Sequence, residues 1–218
     1  MAASSGPTDA HAISNRGLAA LARFAIAGAQ GDAGAMRRAA TAARAAHVPR
    51  VALEETGLML VLYAGFPAAL EAMRALYDTW PGQASRSQEG GLGEWRSRGE
   101  ALCARVYGPV YGRLTTRVRE LHPDLAAWMV DTGYGRVLSR PGLDAREREL
   151  LTVAVLAATR RPRQLVSHLL GAWRLGASGV ELRRLTRLGA RGPAALAAAR
   201  RAWREAFAES LTPRGGPS

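Results

Sequence analysis

The chain has 218 residues, enough for one large domain or two small ones, and its hydrophobic fraction of 48% is typical of folded proteins. The hydrophobic residues are mainly Ala, Leu and Val, and because Ala and Leu favour helices, the composition predicts an all-α fold. The formal net charge is +12, but every basic residue is Arg and the Arg residues are scattered among acidic ones. This pattern argues against nucleic acid as a partner.

The single cysteine, Cys103, excludes an intrachain disulfide and fits a reducing compartment. Residues 1–15 lack the apolar segment of a secretory signal. No apolar run approaches the roughly 18 residues that a membrane span requires. We therefore predict a cytoplasmic protein without a membrane segment.

The first part of the chain predicts a short disordered N-terminus, residues 1–15, followed by a helical half at residues 16–80. Asp32 has the character of a helix N-cap, and Gly65 interrupts the helical pattern just before Pro67. The apolar spacing within this half predicts four helices, at residues 17–29, 33–46, 50–63 and 67–80.

Small and polar residues, with several glycines, then predict a linker or surface loop at residues 81–98. A second helical half follows at residues 99–208, and a Pro/Gly tail, residues 209–218, is predicted to be disordered. Gly133 is expected to end one of the helices of this half. The predicted helices are residues 100–107, 111–121, 125–132, 145–158, 162–175, 179–188 and 193–207.

The segment from Arg140 to Gly176 carries the strongest local signals. Asp144 and Glu147 have the spacing of a capping box, and the apolar run that follows them predicts a central buried helix. Pro162 suits the first turn of the next helix, and Gly176 suits the position just after its end. Two helices packed back to back are therefore expected here.

The two halves share an internal sequence similarity. Residues 67–74 and 193–200 are identical at six of eight positions, and Tyr77 and Trp203 occupy equivalent aromatic positions three residues later. The order of helices before each segment is also alike. We predict two related helical halves, of which the first is a degenerate repeat.

Glu149 and His168 are the candidate catalytic residues. Glu149 lies among apolar neighbours, where a carboxylate needs a partner, and His168 lies on the helix that follows. Together an imidazole and a carboxylate can move protons near neutral pH. Two structural alternatives remain open: Glu149 pairs with Arg146 or Arg163 and only ties helices together, or His168 is a satisfied core residue.

The sequence predicts neither a metal site nor a cofactor. The four His residues are scattered, and no metal-binding spacing or glycine-rich phosphate loop is present. Cys103 is expected to be a small core residue.

The motifs around these residues resemble the carboxymuconolactone decarboxylase family. The resemblance rests on Arg140 to Asp144, on Glu149-Leu150, and on Gln164-Leu165 followed by His168. It also includes segments that begin at Tyr63, Tyr107, Tyr134, Gly171 and Gly176. It implies a helical bundle of the alkylhydroperoxidase D-like type and a homo-oligomer, a trimer or trimer-based assembly. In the peroxidase branch, two cysteines stand at the positions of Arg161 and Gln164, so the thiol chemistry of that branch is not expected here.

Three functional hypotheses follow. In the first, the protein is a decarboxylase-like lyase in which Glu149 and His168 transfer protons on a small carboxylated substrate. Arg161, Arg163 and Gln164 would bind that substrate, with an arginine holding its carboxylate. In the second, the protein is a non-catalytic helical oligomer or small-molecule-binding protein of the same family. The third, redox chemistry at Cys103, is the least supported.

Overall fold

The computed structural model describes residues 13–85 and 90–208, and within them it is helical without any β-strand. The all-α prediction is therefore confirmed. Most of the two termini predicted to be disordered, residues 1–12 and 209–218, lies outside the described residues. The helices are α1 (Asn15–Gln30), α2 (Ala33–Ala45), α3 (Arg50–Thr79), α4 (Leu92–Tyr107), α5 (Tyr111–Leu121), α6 (Pro123–Trp128), a π-helical segment (Met129–Leu138), α7 (Ala145–Ala158), α8 (Pro162–Arg174), α9 (Gly179–Gly189) and α10 (Pro193–Ala206).

The helix boundaries follow from local capping chemistry. Asp32 caps α2 by accepting a hydrogen bond from the backbone N–H of Ala35. The capping box of Asp144 and Glu147 at the start of α7 is complete, and a second one, formed by Ser178 and Glu181, starts α9. Gly176, after α8, has φ 90°, a conformation that glycine adopts without strain. The signals at Asp32, Asp144 and Gly176 were predicted from the sequence.

Helix α3 contains a break at Gly65, which has φ 80° and ψ 177°. By length and composition, α3 is the one helix among the described residues that could cross a membrane. Core helices of soluble proteins pass the same test, and the break leaves two pieces that are each shorter than the roughly 20 residues of a span. Glu54 and Glu55 are also buried within α3, where each forms an ion pair with arginine.

The structure differs from the sequence prediction in two neighbouring places. The predicted loop at residues 81–98 ends earlier, because α4 already begins at Leu92 and runs through Gly99. Gly133 does not end a helix, because the chain continues as a π-helical segment to Leu138. Two other glycines nearby, Gly99 on α4 and Gly135 in the π-helical segment, allow these two elements to pack closely. A Cβ on Gly99 would lie 2.1 Å from the carbonyl oxygen of Val130, and a Cβ on Gly135 would lie 1.9 Å from that of Trp95.

We expect Gly135→Ala to destabilise the protein by about 2–4 kcal/mol, because the new methyl group would meet backbone rather than a movable side chain. Gly133→Ala is the matched control, since a Cβ there has its nearest neighbour at 3.7 Å. Urea unfolding followed by circular dichroism measures both. Equal stability of the two variants would contradict the assigned packing.

The two halves pack directly on each other, with α1 against α7 and α9. A buried ion cluster joins them: Arg140 Nε lies 3.0 Å and Arg148 Nη2 also 3.0 Å from Glu55 Oε2. Arg148 additionally donates to the carbonyl oxygens of Arg140 and Pro141. Glu55 is on α3, whereas both arginines belong to the second half, so the cluster fixes the position of α3 beside α7.

The breaks before Pro67 and Pro193 have similar backbone conformations. Gly65 has φ 80° and ψ 177°, and Gly192 has φ 80° and ψ 163°. The two glycines stand at different distances from their prolines, two residues and one residue, so this likeness does not test the duplication, which stays a prediction.

Candidate functional site

Glu149 and His168 are hydrogen-bonded to each other in the second half. His168 Nδ1 lies 2.8 Å from Glu149 Oε2, and the two side chains are 12% and 3% exposed. The carboxylate is on α7 and the imidazole on α8, so the pair links the two central helices of this half. Of the alternative partners, Arg146 forms an ion pair with Glu181 instead, and Arg163 is exposed.

Space for the buried carboxylate depends on Gly171, which lies one turn after His168 on α8. A Cβ at Gly171 would lie 2.8 Å from Glu149 Oε2 and 2.7 Å from Val106 Cγ1. Any side chain at this position would push the carboxylate away from the imidazole. The hydrogen bond between Glu149 and His168 therefore requires glycine at position 171.

His168 lines a cavity of about 520 Å³ with a mostly apolar wall. Its Nδ1 is bound to Glu149, and Nε2 has no hydrogen-bond partner among the residues that the structure describes. The imidazole therefore has one fixed nitrogen and one available nitrogen. The other lining residues belong to α3, α4, α6 and the π-helical segment: Leu62, Tyr63, Tyr107, Leu125, Trp128, Met129, Thr132, Gly133, Tyr134 and Leu138.

Two buried tyrosines stand beside the imidazole. Tyr134 Oη donates to Tyr107 Oη at 2.7 Å, and the ring of Tyr107 meets that of His168 edge-on at 6.5 Å. Burial is the main cause that raises the pKa of both phenols, and the negative charge of Glu149 raises it further. Both tyrosines stay neutral, and since Tyr107 accepts from Tyr134, its own proton is free for another acceptor.

A third tyrosine comes from the first half of the chain. Tyr63 Oη lies 2.5 Å from Thr152 Oγ1, which itself donates to the carbonyl oxygen of Arg148 at 2.8 Å. Either hydroxyl can be the donor in this contact. Burial raises the pKa of Tyr63, so its hydroxyl stays protonated. The first half, which the sequence predicted to be a degenerate repeat, thus supplies part of the cavity wall.

Cys103 lies close to this site on α4 but is completely buried. Burial, with a contribution from the charge of Glu149 and then of Glu100, raises the pKa of the Cys103 thiol to about 12. A thiol that is buried and protonated is a poor nucleophile.

The three predicted substrate-binding residues lie together at the start of α8 and are all exposed: Arg161, Arg163 and Gln164. None of them lines the cavity that contains His168. Their role in substrate binding stays a prediction. The sequence analysis did not select Tyr63, Tyr107 and Tyr134 as site residues. The available signal was that each is followed, one or two positions later, by a glycine.

A comparison with protein families gives one match in this half of the chain. The family model described as carboxymuconolactone decarboxylase family matches residues 123–207, which includes Glu149, His168 and Gly171. The matched segment is therefore similar to the carboxymuconolactone decarboxylase family. No curated protein matches the chain significantly.

The matched segment begins at the first residue of α6 and covers the π-helical segment and α7 to α10. It contains the hydrogen-bonded pair and Tyr134, but the cavity wall extends beyond it. Tyr107 belongs to α4 and Tyr63 to α3, both outside the matched residues. The site is therefore completed by elements that precede the matched segment.

Proposed function

We propose that the protein is a decarboxylase-like lyase that acts on a small carboxylated substrate through acid–base catalysis by His168 and Glu149. The observation that carries the proposal is the 2.8 Å hydrogen bond between His168 Nδ1 and Glu149 Oε2, with the imidazole at the wall of an apolar cavity. A merely structural pair would need no such cavity.

Glu149 is a positioning residue in this mechanism, and His168 is the catalytic residue. The carboxylate accepts a hydrogen bond from Nδ1–H, which fixes the tautomer and the ring orientation, and its charge compensates the imidazolium that forms during the reaction. Nε2 is then the atom that gives a proton to the substrate or takes one from it.

The reaction that fits this arrangement is loss of CO₂ from a carboxylate one carbon away from a carbonyl group. The C–C bond breaks, its electron pair moves into the carbonyl group as an enolate, and the His168 imidazolium protonates the carbon. Tyr107 stabilises the enolate oxygen by donating a hydrogen bond to it and keeps its proton. The apolar wall favours a neutral product over a carboxylate, because it solvates the carboxylate poorly.

The test is to incubate the protein with carboxymuconolactone and related small lactone carboxylic acids in D₂O. We expect CO₂ release and a product that carries deuterium on one face of the reacting carbon, because a fixed Nε2 delivers the proton from one side. Buffer catalysis would label both faces. The proposal fails if the protein binds these compounds without releasing CO₂, or if labelling is not stereospecific.

A second proposal, homo-oligomer formation, rests on an exposed apolar stripe of α3. Phe66, Leu70 and Tyr77 are 70%, 66% and 64% exposed, and their spacing places them on one helix face. Large apolar side chains in such a row are typical of a protein interface. We propose that this stripe packs against another copy of the chain, with a trimer or trimer-based assembly expected.

Phe66→Ser combined with Leu70→Ser is expected to shift the protein to monomers, because it removes most of the apolar area of the stripe. Light scattering coupled to size-exclusion chromatography measures the mass. Val180→Ser combined with Leu121→Ser is the control, since both residues are exposed but lie on other helices. A monomeric wild type would contradict the proposal, as would dissociation by the control pair alone.

A further inference from the structure

A second cavity, separate from the one at His168, lies between α9 and α10 and has a volume of about 270 Å³. It shares no lining residue with the His168 cavity. Its apolar wall is formed by the half-buried Trp203 with Leu196, Ala190 and Ala199. Four arginines surround it, and no acidic side chain lines it: Arg183, Arg187, Arg200 and Arg204.

These arginines are arranged in two pairs, each one helical turn apart. Arg183 and Arg187 are four residues apart on α9, and the other two have the same spacing on α10. None of the four makes an ion pair with any residue that the structure describes. Elsewhere in the same described part, Arg50, Arg96 and Arg146 each have an acidic partner. Like charges at this spacing repel, so the arrangement favours a bound anion.

A second observation at this cavity concerns the hydroxyl of Thr186. Thr186 is only 6% exposed, and its Oγ1 has no hydrogen-bond partner in the described structure. Threonines within helices usually donate to the carbonyl four residues earlier. Seven in this protein do so: Thr41, Thr56, Thr79, Thr115, Thr116, Thr152 and Thr159. Thr186 lines the cavity, and its hydroxyl makes no such bond.

Trp203 gives the cavity a flat apolar surface. The guanidinium carbon of Arg183 lies 5.6 Å from the centre of the Trp203 ring, so charge and aromatic surface are adjacent. An occupant that satisfies both must combine an anionic head with a planar apolar body. Phosphate suits the head better than a single carboxylate, because it brings more acceptor oxygens and up to two negative charges to four guanidinium groups.

We propose that the cavity between α9 and α10 binds a small phosphate monoester with an aromatic body. The phosphate lies among the four arginines and accepts a hydrogen bond from Thr186 Oγ1, and the aromatic body packs on Trp203. The site is independent of the chemistry at His168.

Isothermal titration calorimetry with phenyl phosphate tests the proposal, with inorganic phosphate and phenol as the comparison ligands. We expect saturable binding of phenyl phosphate, weaker binding of inorganic phosphate and none of phenol. Arg187→Gln combined with Arg200→Gln should weaken phenyl phosphate binding at least about tenfold, since two charge-assisted contacts are lost. Thr186→Val, which keeps the side-chain shape, should weaken it about three- to tenfold.

The control is Arg37→Gln combined with Arg201→Gln, which changes the net charge equally at exposed positions outside the cavity. It should bind phenyl phosphate like the wild type. Equal losses in both double variants would overturn the proposal, because they would indicate attraction by net charge alone. Absence of saturable phenyl phosphate binding would overturn the proposal as well. A third contradicting result would be that RNA oligonucleotides bind more tightly than phenyl phosphate, with an affinity that increases with their length.

Discussion

Replacing His168 by Asn is expected to lower kcat for CO₂ release by about 10²–10⁴-fold, because the substitution removes the group that carries the proton. The asparagine amide can still hydrogen-bond to Glu149, so the fold should be retained. Glu149→Gln should cause a smaller loss of about 10–10³-fold, since the imidazole remains but its tautomer and charge are no longer supported. Steady-state kinetics on the substrate that gives CO₂ release measures both losses.

The two residues act as one unit, so the double variant should be little worse than His168→Asn alone. His47→Asn is the control, because His47 is exposed and its positive φ of 56° is one that Asn also tolerates. Circular dichroism should show the same helical content in all variants. Full activity of both His168→Asn and Glu149→Gln would exclude the proposed roles, whatever reaction the protein catalyses.

Replacing Glu55 by Ala is expected to destabilise the protein by about 3–5 kcal/mol, because two arginines would lose the carboxylate that compensates them. Arg148 is 2% exposed, and its Nε and Nη1 already have no hydrogen-bond partner in the described structure. Glu55 is therefore the main compensation for a buried positive charge. Burial lowers the pKa of Arg148, and the charge of Glu55 opposes this effect.

Urea unfolding of Glu55→Ala and Glu71→Ala gives the comparison. Glu71 is exposed on the same helix and has no ion pair in the described part of the chain, so its removal should change stability by less than about 0.5 kcal/mol. Replacing Glu55 together with both arginines by apolar residues should recover much of the loss. Similar effects of Glu55→Ala and Glu71→Ala on the free energy of unfolding would contradict the expected stabilisation by the cluster.

The sequence predicted the parts of the site that depend on local patterns. Glu149 follows a capping box, His168 lies on the next antiparallel helix, and the short turn between them brings the two side chains together. Tyr63 and Tyr107 could not be placed in the same way. Tyr63 is 89 residues away from its partner Thr152, and such a contact depends on how whole helices pack.

Glycine was also ambiguous in the sequence, because it has two opposite structural uses. At Gly65 and Gly176 it has a positive φ and marks a break, as expected. At Gly99 and Gly135 it stays within helices and lets two backbones approach. The residue type is the same in both cases, and only the neighbouring chain decides between them. Gly93 also lies within α4, so the predicted loop at residues 81–98 was too long.

The cluster of Glu55 with Arg140 and Arg148 has a consequence for the autonomy of the matched segment. If residues 123–207 were expressed alone, the Arg148 guanidinium, which is buried in the full chain, would lose Glu55 and become exposed to solvent. The cavity at His168 would also lack the phenol groups of Tyr63 and Tyr107. The boundary that a family match draws along the sequence is therefore not the boundary of a cooperative folding unit. In this chain the smallest unit able to hold the site includes α3 and α4.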